Sequence, residues 1–402
     1  MTHFFKRRIF EPEHDMFRDS VRRFYEEEVA PHRETWREAG QVSREVWAAA
    51  GAQGFCAMWA DERYGGAGVD DFRFDQILCE ELVGESGFFL TLHNRIVAPY
   101  LRKFGTPDQL DRYMPGVVAG TTILAIAMTE PGAGSDLAAI RTTARPDGDG
   151  WVLNGSKTYI SNGQIADLVV VAARTGERSI GVFLVEADTE GFRRGRKLKK
   201  LGLHSQDTSE LFFDDMRLSG TQVLGDPHRG FQAMMVGLAE ERLLGACGYL
   251  ARAQRAFDIT MDYITERRAF GRPVGQFQNS RFQMAAMRTE LDAAQAFVDH
   301  CVLDHLEGEL SAEAGAQAKL LTSEVEGRVV DGCLQLHGGA GYMDEYEISR
   351  LYADARISRI YAGTSEIMKE IIGRGLGLDE RAKAEPAREK RKPDLQVVKQ
   401  AS

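Results

Sequence analysis

Cysteine is scarce. Five occur in 402 residues, Cys56, Cys79, Cys247, Cys301 and Cys333, and they lie far apart. No CxxC pair exists and no Cys/His spacing suits zinc, so no metal site is expected. Scattered thiols fit a reducing compartment better than a disulfide framework, and a cytoplasmic location is the expectation. No run approaches the ~18–20 apolar residues of a membrane span. Positive charge is in deficit too, with 50 Lys and Arg against 60 Asp and Glu and a net charge of −10, which argues against a nucleic-acid partner. The first ten residues carry Lys6, Arg7 and Arg8 without the apolar stretch of a signal peptide. Glu11, Glu13 and Asp15 then argue against a transit peptide.

What is present is a globular balance, 43% hydrophobic and 27% charged. The chain is too long for a single core, which stops growing at roughly 250–300 residues. Its periodicity changes twice. Phe17, Val21, Phe24 and Val29 recur among charges at helical steps, and Ser43 stands as an N-cap before Arg44-Glu45-Val46. From about Thr121 the period shortens to two. Leu168–Ala173, Ile180–Glu186 and Glu210–Phe213 read as strands, and a turn is expected within Trp151–Lys157. Long amphipathic stretches follow at Phe231–Phe270, Ser280–Leu306 and Ser311–Leu336, which pack best as a bundle. The expected organisation is α–β–α. An N-terminal helical domain spans 1–122, an antiparallel β barrel or sandwich 123–229 and a C-terminal helical bundle 230–378. A charged tail over 379–402 is expected to be disordered.

Four local motifs stand out, and each has a plain structural reading beside a functional one. Thr129-Glu130-Pro131-Gly132-Ala133-Gly134-Ser135-Asp136 is either a turn or a place where backbone amides approach a phosphate or flat ring. Its spacing is neither a Walker loop nor a Rossmann fingerprint. His337-Gly338-Gly339-Ala340-Gly341-Tyr342 is either a glycine-capped helix end or a ligand surface. Tyr361-Ala362-Gly363-Thr364-Ser365-Glu366 offers a helix cap at Thr364 or Ser365. Glu240-Glu241-Arg242 is a charge cluster that would ordinarily be a solvated face. Its neighbours are small and apolar, and a carboxylate desolvated there has the raised pKa of a general base.

Taken together and in order, these motifs resemble the acyl-CoA dehydrogenase family, over about Glu13 to Arg374. Asn154-Gly155-Ser156-Lys157-Thr158-Tyr159-Ile160-Ser161-Asn162 and Glu266-Arg267-Arg268-Ala269-Phe270-Gly271 complete the set. Asp207–Phe213, Phe297-Val298-Asp299 and Ile367–Glu370 are similar to the long-chain branch. The resemblance implies non-covalent FAD, an acyl-CoA substrate, an electron-transfer flavoprotein as acceptor and a homotetramer. It places Ile126, Met128, Thr129, Gly134 and Ser135 along the flavin, with Tyr159, Ile160 and Ser161 over its other part. Arg267, Phe270, Phe277 and Gln278, with Gln335, His337, Gly338 and Gly339, match the pyrophosphate and adenosine side. Thr364 and Glu366 flank the cofactor again. Substrate contacts are implied at Ser135, Leu238, Glu241, Arg242 and Gly363.

The implied reaction is α,β-dehydrogenation of a saturated acyl-CoA to the trans-2-enoyl-CoA. Many relatives carry the catalytic glutamate between the Tyr and Gly of the Tyr-x-Gly-Thr motif. Ala362 stands there, and contributes only a backbone N–H. The long-chain and isovaleryl branches place the base before an arginine on the helix that opens the last domain, which selects Glu241 before Arg242. Two other readings remain at this point: an acyl-CoA oxidase-like or other O2-reactive flavoenzyme, and a flavin-less binding or scaffold protein. Acyl chain length is not legible. A medium-to-long saturated substrate is expected from the branch resemblance.

Overall fold

A computed structural model describes residues 4–85 and 87–378, so the tail expected to be disordered lies outside the described residues. The first part is helical: α1 (Pro12–Phe24), α2 (Arg33–Ala39), α3 (Arg44–Ala52), α4 (Phe72–Glu81), α5 (Ala98–Phe104) and α6 (Pro107–Val118). Val21, Phe24, Trp36, Trp47, Ile77 and Leu78 meet in one core. Ser43 takes the N-cap position of α3 as its sequence suggests. Thr106 and Gln109 form a reciprocal capping box that opens α6.

Seven strands follow: β1 (Leu124–Ala127), β2 (Thr143–Asp147), β3 (Gly150–Ser161), β4 (Leu168–Arg174), β5 (Ile180–Glu186), β6 (Phe192–Lys197) and β7 (Thr208–Ser219). They make one curled sheet. Most pairings are antiparallel as expected, β2 with β3, β3 with β7, β6 with β7 and β4 with β5. The expectation of a purely antiparallel domain needs correcting, because β1 runs parallel to β4 from Leu124 opposite Leu168 to Ala127 opposite Val171. The long excursion through residues 128–167 returns the chain to the same end of the sheet, as a parallel pair requires. β4 is buried on both faces. Leu168, Val170 and Ala172 pack toward the core shared with α5 and α6, whereas Val169, Val171 and Ala173 pack into the core inside the sheet.

The turn expected within Trp151–Lys157 is also corrected. β3 runs through it, with a bulge at Gly155. Gly155 has φ 145°, and a Cβ there would sit 2.7 Å from the Thr142 Cα. Close backbone approach, rather than chain reversal, explains this glycine.

The last part comprises α7 (Gly230–Met235), α8 (Leu238–Glu266), a small hairpin of β8 (Arg268–Ala269) and β9 (Arg272–Pro273), α9 (Gln278–Leu306), α10 (Ala312–His337), α11 (Glu347–Ala355) and α12 (Ser365–Gly375). α8, α9 and α10 pack along a core of Leu243, Leu250, Phe257, Leu291, Val298 and Val329. The stretch expected from Phe231 to Phe270 is two helices, because the chain breaks at Val236-Gly237 and Gly237 becomes the N-cap of α8. That break places Glu240 and Glu241 in the first turn of a 29-residue helix. Among the described residues, no helix is long and apolar enough to cross a membrane and no acidic, His or Cys cluster suits a metal. All five cysteines are free thiols.

Candidate active site

The glycine-bearing loop after β1 hangs on a buried ion pair. Lys157 on β3 is buried, and its Nζ donates to the Met128 carbonyl at 3.0 Å and to Glu130 Oε1 at 2.8 Å. The Glu130 carboxylate also accepts the backbone N–H groups of Arg141 and Thr142, at 2.5 and 3.0 Å. The Thr158 N–H donates to the Thr129 carbonyl at 2.9 Å, tying the loop to β3. Burial pushes the Lys157 ammonium down to about 8, against the pull of Glu130. Glu130 is thus a strut and not a reacting acid. Nothing in the sequence singled out Lys157 beyond its membership of a motif.

This strut presents Thr129 half-buried and Gly134 and Ser135 exposed. Ile126 and Met128 pack against the core shared with α5 and α6. Tyr159 is 68% exposed with φ 61°, while Ile160 turns inward to 3% exposure and Ser161 is half-buried. A bulky residue at positive φ is strained and persists only where its surroundings fix it.

A second group gathers at the far end of α8. Arg267, Phe270 and Gln278 are exposed there, and Phe270 and Phe277 meet edge to face at 6.2 Å. Phe270 is 96% exposed and again has positive φ, 49°. Tyr263 stacks on His337 at 4.3 Å and donates to the His337 carbonyl at 3.2 Å, which joins the end of α10 to this group. His337 itself is buried, with Nδ1 2.9 Å from the Cys333 carbonyl. Its ring therefore packs inward, and the exposed surface of that segment is Gln335, Gly338 and Gly339.

The third group surrounds Glu241. Glu240 points to α5 and α9: its carboxylate lies 3.4 Å from Arg95 Nη1, 3.9 Å from Lys103 Nζ and 3.8 Å from His305 Nε2. Burial works to raise Glu240, but these partners outweigh it and hold the group below the usual carboxylate range. Among the described residues, no hydrogen-bond donor reaches the Glu241 carboxylate. Burial, and then the charge of Glu240, pushes Glu241 up to about 7 against the opposing charges of Arg242 and Lys103. Gly237 leaves it room, since a Cβ there would sit 3.2 Å from Glu241 Oε1. Two orphaned polar atoms stand near this carboxylate: Arg242 Nε and the Tyr100 hydroxyl are both buried without a partner. The charge of Glu241 helps raise Tyr100, after burial. Leu238, the first residue of α8, is half-buried beside the break.

Facing α8 is the corner Tyr361–Thr364. Ala362 takes φ 51° and Gly363 φ 89°, so the chain reverses in two left-handed steps and leaves Ala362 exposed. Lys319 on α10 is wholly buried and donates from Nζ to the Gly363 carbonyl at 2.6 Å. Burial, and next the charge of Arg242, lowers that ammonium to about 8. Thr364 caps α12 by accepting the Ile367 N–H at 3.3 Å, and Glu366 is exposed in the first turn of that helix. Lys319 escaped sequence reasoning. The available signal was a lone charge among Ala316, Ala318, Leu320 and Leu321.

Models of the N-terminal, middle and C-terminal domains of acyl-CoA dehydrogenases match residues 11–121, 125–216 and 228–377. The chain belongs to the acyl-CoA dehydrogenase family. It is 45% identical to the mitochondrial long-chain specific acyl-CoA dehydrogenase of Sus scrofa, over 92% of this chain and 87% of that protein. An acyl-CoA dehydrogenase structure from Geobacillus kaustophilus superposes with a TM-score of 0.90 at 44% identity, covering 92% of this chain and all of that one (100%). A glutaryl-CoA dehydrogenase from Mycobacterium smegmatis, in complex with FADH2, gives 0.87 at 30% identity over 92% and 95%. An acyl-CoA dehydrogenase is an oxidoreductase acting on CH–CH bonds, and FAD is its cofactor.

The residues of this acyl-CoA dehydrogenase fit a flavin. Tyr159 and Phe270 are bare aromatic surfaces held in strained backbone. A Cβ at Gly132, Gly134, Gly338 or Gly339 would meet nothing within 4 Å, so the backbone at each is open to a ligand.

Proposed function

We propose that this acyl-CoA dehydrogenase oxidises a saturated fatty acyl-CoA to the trans-2-enoyl-CoA with Glu241 as the base. The observation that carries the reading is the contrast between two adjacent carboxylates. Glu240 is held by Arg95, Lys103 and His305, whereas half-buried Glu241 accepts no hydrogen bond among the described residues and is raised to about 7. Successive helical residues point about 100° apart, so only one of them faces the Ala362 corner.

Thr129, Gly134, Ser135, Tyr159 and Ser161 would hold the isoalloxazine side, and Arg267, Phe270, Phe277 and Gln278 the pyrophosphate side. Bound FAD would accept the β-hydrogen as hydride. The Ala362 N–H donates to the thioester carbonyl, which acidifies the α-carbon by stabilising enolate-like charge. Lys319 keeps that N–H aimed by holding the next carbonyl. Glu241 takes the α-proton at its free carboxylate oxygen. Arg242 and Ser135 contact the substrate from either side. Bare Phe270 and Gly338-Gly339 supply surface for a neighbouring copy, consistent with a homotetramer. An electron-transfer flavoprotein is the proposed acceptor, and free thiols fit a reducing compartment such as the cytoplasm.

Anaerobic mixing with a series of saturated acyl-CoA thioesters tests the function. Flavin absorbance should bleach, with efficiency higher for medium-to-long chains than for isovaleryl-CoA, since each buried methylene contributes up to ~0.8 kcal/mol. No bleaching with any thioester refutes the reading, and a peak at isovaleryl-CoA refutes the chain-length preference.

The base also sets a pH profile. Glu241 works deprotonated, so kcat/KM for flavin reduction should rise as pH rises through about 7. A rate already at its plateau around pH 5 would place the working carboxylate in an ordinary, solvated environment, near the usual value of about 4.3.

A further inference from the structure

A small cavity of about 60 Å³ opens beside Tyr361. Its walls are mostly apolar, among them Leu78, Leu82, Phe88 and Phe89. It continues the face of α8 that starts at the base: Glu241, Gly245, Gly248 and Arg252 follow one another at steps of four and three and so form one stripe. Gly248 lines the cavity, and a Cβ there would meet nothing within 4 Å. The corner residue next to Tyr361 is Ala362, the proposed seat of the thioester carbonyl. The cavity therefore lies where the distal acyl chain would run.

Its floor is not apolar. Arg252 and Gln206 line it, 8% and 5% exposed. Arg252 donates from Nε to Glu326 Oε1 at 2.6 Å, but its Nη2 has no acceptor, and neither has Gln206 Nε2. A buried donor left unpaired costs roughly 1–3 kcal/mol. Two of them bordering one cavity ask for an oxygen. The charge balance says which kind. Arg252 is already paired with Glu326, and a second carboxyl, Glu85, lines the same cavity. An anionic group would add an uncompensated negative charge. A hydroxyl or ketone adds none.

We propose that the acyl group taken by this enzyme carries an uncharged oxygen, hydroxyl or keto, in its distal part, received by Arg252 Nη2 and Gln206 Nε2. The inference rests on the dehydrogenase reading above and narrows its substrate class. A plain alkyl chain reaching this floor strips water from both donors and returns nothing to them.

The test uses the FAD-loaded enzyme with decanoyl-CoA and with hydroxy- and keto-decanoyl-CoA thioesters whose oxygen is moved along the distal half of the chain. At one oxygen position kcat/KM should exceed that of decanoyl-CoA about tenfold. Calorimetric binding to the Glu241→Gln enzyme should show the same ranking without turnover. Removing the ion pair as a unit, Arg252→Leu with Glu326→Leu, avoids a lone buried charge and should reverse the preference toward decanoyl-CoA. Gln206→Leu should weaken it, and decides the matter alone if the double variant does not fold. The inference is overturned if decanoyl-CoA is preferred over every oxygenated thioester. It is equally overturned if the oxygenated preference survives in the variants, or if an ω-carboxyl thioester is the best ligand. Bleaching by decanoyl-CoA without an oxygen preference leaves the dehydrogenase reading intact and sinks only this one. No bleaching by any thioester sinks both.

Discussion

Glu241→Gln should give a yellow protein that binds acyl-CoA yet reduces its flavin ~10²–10⁴-fold more slowly, the usual loss when a positioned general base is removed. The amide fills the same space without accepting a proton. Glu240→Gln is the informative control, because it also removes a charge from the same helical turn. It severs the contacts to Arg95, Lys103 and His305, so thermal stability should fall. Its effect on rate should be small at high pH. The Glu240 charge is one of the causes that raise Glu241, so its loss should move the kcat/KM profile to lower pH. Anaerobic stopped-flow reduction across pH separates the two. The opposite ranking of the two variants would overturn the assignment of the base.

Lys157→Met should be the most damaging change away from the reacting atoms. It leaves the Glu130 carboxylate buried with two backbone donors but no countercharge. Breaking a buried pair from one side costs ~3–5 kcal/mol. Because the pair pins the loop at Met128 and Glu130, FAD should be lost as the structure loosens. Melting temperature and flavin content after gel filtration should drop together. Adding Glu130→Gln should recover part of both, since the lone charge is gone. Retention of wild-type melting temperature and full flavin in Lys157→Met would show that the ion pair carries neither.

The α–β–α order was legible because the hydrophobic period changes from helical steps to two and back. Strand β5 and helices α9 and α10 appear within a residue or two of where the pattern puts them. Parallel pairing of β1 with β4 was not legible. It depends on where residues 128–167 return the chain, and periodicity carries no direction. Gly155 was misread because a glycine demanded by close approach to Thr142 looks, in sequence, like one demanded by a turn. At the candidate site, Ala362 leaves the Tyr361–Thr364 corner without a carboxylate, and motif order pointed to Glu241, the base proposed here. The supports were invisible. Lys157, Lys319 and Arg252 act through partners that are distant in sequence, and a buried lysine or arginine has no local signature distinguishing it from a solvated one.

The break at Val236-Gly237 has a consequence for the second half of the catalytic cycle. A base that takes a proton must shed it before the next substrate arrives. Glu241 sits in the opening turn of α8, where unpaired backbone N–H groups give the helix end a partial positive charge. That field favours the carboxylate over the acid by ~0.3–1 kcal/mol, against the burial that makes the group basic. A proposed base raised to about 7 can thus both take up and release a proton near neutral pH. The same glutamate a few turns deeper in α8 would lose that field, and its titration would move up by ~0.2–0.7 of a pKa unit.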